Sequence, residues 1–392
     1  MFEYVTAGES HGPQVTAIIK NLPSGLNLNI SEINHQLYRR QQGYGRGGRM
    51  DIESDKIEIK SGLRKGKTLG SPLTMSIKNR DWENWENIMQ IEEDSCEEDF
   101  TDDEKVTQPR PGHADLAGAI KYNFSDMRNV LERASARETA ARTAVGSVCR
   151  QFISKFGIEV YSHVIQIGDV KVPEFPEKED PEEFFAQVDE SDLRCADRAR
   201  ENKMKDLIDN WRENGDSVGG AFEIIAVGVP TGLGSYVNWD DKLEGKLARA
   251  LMSIQAIKGV EIGAGFNGAA MPGSNFHDEI FYDEQKGFYR SSNNAGGFEG
   301  GVTNGEFIRI KAAMKPIPTL ATPLQTVEFN SKEKAEAARE RSDVCAVPPA
   351  SIVGEAVTAI ELARSLAKKF GGDNMEEILA NFSSYKNYLQ EL

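Results

Sequence analysis

The stretch from Arg128 to Phe156 most restricts what this chain can fold into. It is Ala-rich and made of good helix formers throughout, which predicts one long helix. Ala134, Ala141 and Ala144 leave room for another element to pack closely against it. A second long helix is expected from Ile352 to Phe370, and a third from Asp241 to Lys258, with Gly259 as its stop. Around them lie strand candidates at Val15–Ile19, Ile57–Gly62, Leu73–Ile77, Val160–Val164, Ala221–Val227 and Phe307–Ala313. Strands come in adjacent pairs joined by short turns more often than as strict βαβ units, so the sheets read as antiparallel or mixed. Each half of the chain has strands and then a long Ala- or Leu-rich helix with glycine loops around it. No fixed period shows a repeat, which leaves internal duplication open.

Composition narrows the class. Hydrophobic residues make up 39% and charged residues 28%, the balance of a globular protein. The 392 residues suffice for two or three average domains or for one composite domain over 1–392, with acidic surface insertions near 91–105 and 172–205. A formal net charge of -16 argues against bulk nucleic-acid binding. No apolar run is long enough to span a bilayer, and no basic segment followed by an apolar one opens the sequence, so a cytoplasmic protein is expected. Cys96, Cys149, Cys195 and Cys345 are far apart and form no CxxC, which predicts reduced thiols and no metal site.

Several segments carry chemistry. Gly8-Glu9-Ser10-His11-Gly12 sets a His between glycines, beside an acid and a hydroxyl. Such a His reads either as a catalytic acid at the end of a strand or as a solvated residue in a tight turn. Ser31 reads as the N-cap of a helix over Glu32–Arg40, which runs into a loop with Arg39, Arg40, Arg46 and Arg49 among four glycines. That loop either touches RNA non-specifically or closes over a phosphorylated or carboxylated ligand. Pro109-Arg110-Pro111-Gly112-His113-Ala114-Asp115 places a second His after Gly in a chain with five histidines. Arg133 and Arg137 share a helix face, either as a salt-bridged surface or as an anion platform. Asn293 to Gly301 is glycine-dense and can present backbone N–H groups to an anion. Lys315-Pro316-Ile317-Pro318-Thr319 is stiffened by two prolines. His35, His163 and His277 read as structural or exposed.

Taken in order, the turn at 8–12, the loop at 39–49, Arg110 to Asp115, Arg133 to Thr139, Ser253 to Gly259, Gly296 to Gly301, Lys315 to Thr319 and Arg341 to Pro348 resemble the chorismate synthases over nearly the whole chain. The resemblance implies a β-α-β sandwich of the α+β class, with helices between antiparallel sheets, assembled as a homotetramer. It implies a lyase of the shikimate pathway that removes phosphate from 5-enolpyruvylshikimate 3-phosphate by 1,4-elimination to give chorismate. The reaction has no net redox change, yet the family requires reduced FMN, and NADPH is a candidate reductant.

The resemblance also implies roles. His11 would protonate the flavin, His113 would protonate or neutralise the departing phosphate, and Asp343 would help remove the C6 proton. Arg40 and Arg46 fall at NADP positions. Flavin positions carry over to Arg133, Ala134, Ser135, Gln255, Ala256, Gly300, Lys315, Pro316, Ile317, Pro318, Thr319 and Arg341. Ser10, Arg39, Arg49 and Arg137 are expected to meet the substrate, whose two carboxylates and phosphate need local arginines in an acidic protein. Two competing readings are an RNA- or nucleotide-binding module built on the Arg/Gly loop, and an NADPH-dependent flavin reductase, alone or in addition.

Overall fold

A computed structural model of the chain describes residues 2–46, 54–92, 105–177, 179–285, 287–337 and 343–392. The first half runs β1 (Glu3–Ala7), β2 (Gln14–Lys20), α1 (Ile30–Gln41), β3 (Ile57–Ser61), a small hairpin of β4 (Leu63–Arg64) and β5 (Lys67–Thr68), β6 (Leu73–Lys78), α2 (Asp115–Tyr122), α3 (Arg128–Ala134) and α4 (Glu138–Ile153). The second half begins with β7 (Glu159–Ile167), β8 (Val170–Lys171), α5 (Pro181–Asp189), α6 (Arg198–Glu213), β9 (Gly220–Val227), α7 (Leu243–Met252) and β10 (Ile257–Ile262). After two single turns, α8 (Gly265–Gly268) and α9 (Gly273–Phe276), come the hairpins β11 (Ile280–Asp283) with β12 (Gly287–Arg290) and β13 (Phe298–Glu299) with β14 (Val302–Thr303). β15 (Ile308–Met314), the hairpin β16 (Gln325–Val327) with β17 (Lys334–Glu336), α10 (Val347–Phe370) and α11 (Met375–Gln390) complete the chain.

Two sheets dominate. The first has the order β1-β2-β6-β3 and the second β10-β15-β9-β7-β8. Every strand pairing in them is antiparallel, but β2 and β3 flank β6 and β9 and β10 flank β15, so α1 and α7 serve as the crossovers between strands that run the same way. β2 alternates half-buried and buried residues, with Val15, Ala17 and Ile19 turned to the core. That face meets α4, which also touches β1 and β6; α10 lies on β7 and β9, and α4 and α10 lie on each other.

Sequence explains this packing. Twenty of the twenty-four residues of α10 are buried, so it is apolar nearly all round. Small residues let its neighbours approach: a Cβ on Gly146 of α4 would stand 2.4 Å from the Ala356 Cβ, and one on Gly354 would stand 2.7 Å from Phe222. α10 begins at Val347, earlier than expected, because Pro348 and Pro349 sit in its first turn, where no backbone donor is required.

Several expectations are corrected. The helix predicted over Arg128–Phe156 is broken at Ser135, whose ψ of 145° is extended. The Ser135 hydroxyl takes the Arg137 N–H at 3.2 Å and competes with the helical ladder. The helix predicted over Asp241–Lys258 ends at Met252; Ala256 has a left-handed φ of 66°, and Gly259 pairs with Ala313 inside β10. Asn29, not Ser31, caps α1, because its side chain accepts the N–H groups of Ser31 and Glu32 at 3.0 and 3.4 Å. The acidic stretch at 172–205 is more than surface. Phe175, Phe185 and Val188 form an apolar cluster with Ile225, and Leu193, Cys195 and Met204 join the main core. Of the stretch at 91–105, residues 93–104 lie outside the described residues.

Candidate active site

The turn after β1 needs its first glycine. Gly8 has φ 105°, and a Cβ there would stand 2.3 Å from the Gln14 carbonyl oxygen. This sharp return carries Ser10 and His11 onto the end of α3. The Ser10 N–H donates to the Glu132 carbonyl at 3.0 Å, and its hydroxyl lies 3.1 Å from that of Ser135. The Glu132 carboxylate, 1% exposed, takes the His11 backbone N–H at 2.8 Å on Oε2 and holds His11 Nδ1 at 2.9 Å on Oε1. The other constraint on the ring is Trp85, stacked on it with centroids 3.9 Å apart.

One hydrogen-bond step away, arginines gather. Asn79 donates to the carbonyls of Gly12 and Glu9 at 2.5 and 3.2 Å and accepts from Arg137 Nε at 2.8 Å. Arg137 also donates to buried Asp55 at 2.7 Å. The second Asp55 oxygen is buried without a hydrogen bond and lies 3.6 Å from Arg40 Nη1. Arg40 donates from Nε to the Thr139 hydroxyl at 2.9 Å and from Nη2 to the Ala136 carbonyl at 3.0 Å. Burial pulls its pKa down to about 10; Asp55 opposes this, and Arg137 and Arg46 reinforce it. Arg46 pairs with Asp343 at 2.9 Å. Three guanidiniums therefore meet around two carboxylates, a surplus of positive charge inside an acidic protein.

His113 sits on a different strap. Lys315 Nζ donates to the Gly112 carbonyl at 2.6 Å, and a Cβ on Gly112 would strike Pro318 at 2.7 Å, so the two segments lie against each other. The His113 ring faces the Pro111 carbonyl through Nδ1 and the Thr319 hydroxyl through Nε2, both at 3.3 Å. Burial, and then the charge of Lys258, lower the Lys315 pKa. The Lys315 N–H donates to the Ala256 carbonyl at 3.0 Å. The strap reaches the arginines through the Ile317 carbonyl, which accepts from Ser217 at 2.5 Å, and through Val218 N–H to Val344 O and Val344 N–H to Gly45 O at 2.9 and 2.8 Å. On the other side, Arg142 joins Glu138 at the start of α4 to the Ser253 hydroxyl at 2.7 Å.

The structure thus brings Ser10, His11, Ser135, Arg137, Arg40, Arg46 and Asp343 into one network and links Gln255, Ala256 and 315–319 with His113 to its rim. Arg133, with Ala134 beside it, ties α3 to β1 and the turn after it, donating to the carbonyls of Gly8 and Thr6 at 3.0 and 2.9 Å. Arg39 is turned elsewhere; Glu355, Gln36 and Asp189 take up its guanidinium at 2.8, 2.7 and 3.0 Å. Gly300 lies beside Tyr236. Arg49 and Arg341 lie outside the described residues. Glu132, Trp85, Asp55 and Asn79 are site residues that the sequence did not reveal. Glu132 directly precedes the matched segment at 133–139, which is the only signal that pointed near it.

A histidine held by a buried carboxylate, with a cluster of arginines near it, is an arrangement suited to acid–base work on a small anionic substrate. Comparison with known proteins gives the particular kind. The chorismate synthase family model matches residues 2–367. Curated relatives include the chorismate synthases of Geotalea uraniireducens, 57% identical over all of both chains, and of Aquifex aeolicus, 53% identical over 99% of this chain and 98% of the other. A crystal structure of chorismate synthase superposes with a TM-score of 0.80 at 44% identity, covering 100% of this chain and 99% of that one. The chain belongs to the chorismate synthase family. It is a lyase that eliminates phosphate from 5-enolpyruvylshikimate 3-phosphate to give chorismate. These relatives are named as synthases, so a separate flavin reductase reading has no support. Among the described residues no cluster suited to a metal ion occurs, and no helix is long and apolar enough to cross a membrane.

Proposed function

We propose that the elimination is run by His11, His113 and Asp343 around a reduced FMN, with Arg40, Arg46, Arg137 and Ser10 receiving the substrate. The observation that carries the reading is Arg137, one hydrogen-bond step from the His11 turn through Asn79, with Arg40 next to it across Asp55. A substrate with two carboxylates and a phosphate needs that surplus of positive charge. Arg49 completes the set by sequence, and Arg39 receives no substrate role because its guanidinium lies away from the cluster, on Glu355 of α10 and Asp189.

A flavin fits the residues at the rim. Gln255 Oε1 is buried without a hydrogen-bond partner, as expected of an acceptor waiting for a ligand donor. Ala256 bends the backbone into the left-handed region beside it. Arg133, Ala134 and Ser135, Gln255 and Ala256, Gly300, the strap from Lys315 through Pro316, Ile317 and Pro318 to Thr319, and Arg341 would hold the cofactor. Bound reduced FMN supplies a transient loan of electron density to the breaking C–O bond.

The side chains do the proton work. His11 keeps Nδ1 on Glu132, so its proton would be delivered from Nε2. His113 neutralises charge on the departing phosphate oxygen from Nε2, which Thr319 orients at 3.3 Å. Asp343 accepts the C6 proton, held in place by Arg46 at 2.9 Å. Arg40 and Arg46 are also the place for NADPH where the chain reduces its own flavin. Steady anaerobic NADPH oxidation with added FMN supports that role, and none removes it.

The finer architecture belongs to the same reading. We take α4 and α10 as the filling of a β-α-β sandwich whose two halves are duplicates in outline. The hairpin β11–β12 exposes Ile280, Phe281, Tyr282 and Phe288, an apolar surface that supports a homotetramer, testable by sedimentation. A cytoplasmic setting agrees with Cys149, Cys195 and Cys345 as buried thiols.

The direct test is anaerobic. Protein, 5-enolpyruvylshikimate 3-phosphate and chemically reduced FMN should release chorismate and phosphate together, and oxidised FMN should release neither. Folded protein that binds FMN and releases nothing would overturn the proposal.

A further inference from the structure

We infer that Glu132 is a positioning residue that keeps His11 able to act as an acid through Nε2, with Trp85 holding the ring plane. This deepens the His11 role proposed above and rests on it. Glu132 offers two carboxylate oxygens and the turn offers two donors. Oε2 takes the His11 backbone N–H at 2.8 Å, and Nδ1 faces both oxygens, at 2.9 Å from Oε1 and 3.0 Å from Oε2. Both oxygens are therefore used as acceptors, and Nδ1 must carry a hydrogen. In the neutral ring this leaves Nε2 as the lone-pair nitrogen, which can take up and release the second proton. Trp85, stacked at 3.9 Å and 27°, prevents the ring from swinging off that line, and its own N–H is pinned by Asp81 at 2.9 Å.

The charged groups around the ring are few. Arg128 lies 3.8 Å from Glu132 Oε1 and stacks over Trp85 at 5.3 Å. Asp81 lies beneath Trp85, Glu9 is exposed in the same turn, and Arg133 is engaged by the Gly8 and Thr6 carbonyls. Glu132 is the carboxylate in direct contact with the ring.

Glutamine at 132 is the discriminating change, because it puts an NH2 donor where Oε1 now faces Nδ1 at 2.9 Å. With the oxygen kept on the backbone N–H, its NH2 meets Nδ1. That reverses the neutral tautomer and sets two donors face to face in the imidazolium. The experiment is 15N-histidine NMR of the whole protein without ligand, with His11→Ala identifying the His11 signals. Expected is an Nδ1–H tautomer for neutral His11 in the native protein and an Nε2–H tautomer in Glu132→Gln. With reduced FMN and substrate, Glu132→Gln should lose about ten- to a hundred-fold in kcat, part of a full acid's contribution, with KM unchanged. An Nε2–H tautomer in the native protein overturns the inference whether or not the variant folds. So does full activity of Glu132→Gln while His11→Ala is slow. Full activity of His11→Ala instead removes the acid role of His11 itself, and the tautomer measurement then decides whether Glu132 orients the ring.

Discussion

At the residue scale, the two histidines are held quite differently, and this has consequences. His11 is fixed by a buried carboxylate and a stacked indole, whereas His113 meets only a carbonyl and a hydroxyl at 3.3 Å. Replacing either with alanine removes a proton donor and leaves the core untouched, since neither side chain contributes to it. His11→Ala and His113→Ala should each lower turnover by about ten- to a thousand-fold. Circular dichroism and the unfolding midpoint of His113→Ala should match those of the native protein. Full activity in either variant removes that residue from the mechanism. The histidines were legible because glycines flank them in the sequence. Glu132 was not, because it lies 121 positions from His11 in the chain, and a Glu among arginines near a helix end reads as solvated. Asp55 was hidden for a similar reason, reaching Arg137 across 82 positions.

At the scale of elements, α4 and α10 position everything else. The N-terminal turn of α4 carries Arg137 and Thr139 to the arginine cluster, and its middle lies against α10 at Gly146. Valine at 146 would place its Cβ 2.4 Å from the Ala356 Cβ and 2.5 Å from the Ala356 Cα, contacts that require the two helices to separate. Gly146→Val should destabilise the protein by about 1–3 kcal/mol or more, read as a lower denaturant midpoint at unchanged slope. Gly245 is a control, because it lies in α7 with nothing within 4 Å of its absent Cβ. Gly245→Ala should raise stability by about 0.5–1 kcal/mol. Equal effects at the two positions would sink the close-packing account. Periodicity and composition located β2, β3, β6, β7, β9 and β15 and the two long helices, but took the start of β10 for the end of a helix. The breaks escaped them, because Ser135 and Ala256 interrupt helices through local hydrogen bonding and a left-handed turn that only the folded neighbours justify. Phe175, Phe185 and Val188 escaped for the opposite reason: acidic residues around them masked an apolar face that β9 covers through Ile225.

At the scale of the whole molecule, one carboxylate ties the halves together. Glu355 of α10 accepts from Arg39 of α1 at 2.8 and 3.2 Å, from Arg194 at 3.1 Å, from Ser162 of β7 at 2.7 Å, and from Arg150 of α4. Burial alone would raise its pKa, but the guanidiniums of Arg39, Arg150 and Arg194 prevail and hold it at about 2. The unfolded chain returns this carboxyl to about 4.3. A folded pKa below the unfolded one means that the stabilisation is complete above the unfolded value. It is lost as pH falls from there towards the folded value. Native stability should therefore decline between about pH 4 and pH 2, beyond the slope set by surface carboxylates. Glu355→Gln should flatten the decline in that window, measured by urea unfolding at a series of pH values. It should also cost about 3–5 kcal/mol at neutral pH, because three buried guanidiniums lose their shared counter-ion. An acid slope unchanged in Glu355→Gln would place the titrating group elsewhere. The same junction explains why Arg39 belongs to the scaffold although Arg40, the next residue, belongs to the site. Successive residues of a helix point about 100° apart, so α1 delivers one arginine to the joint between the halves and the other to Asp55 and Thr139 beside Arg137.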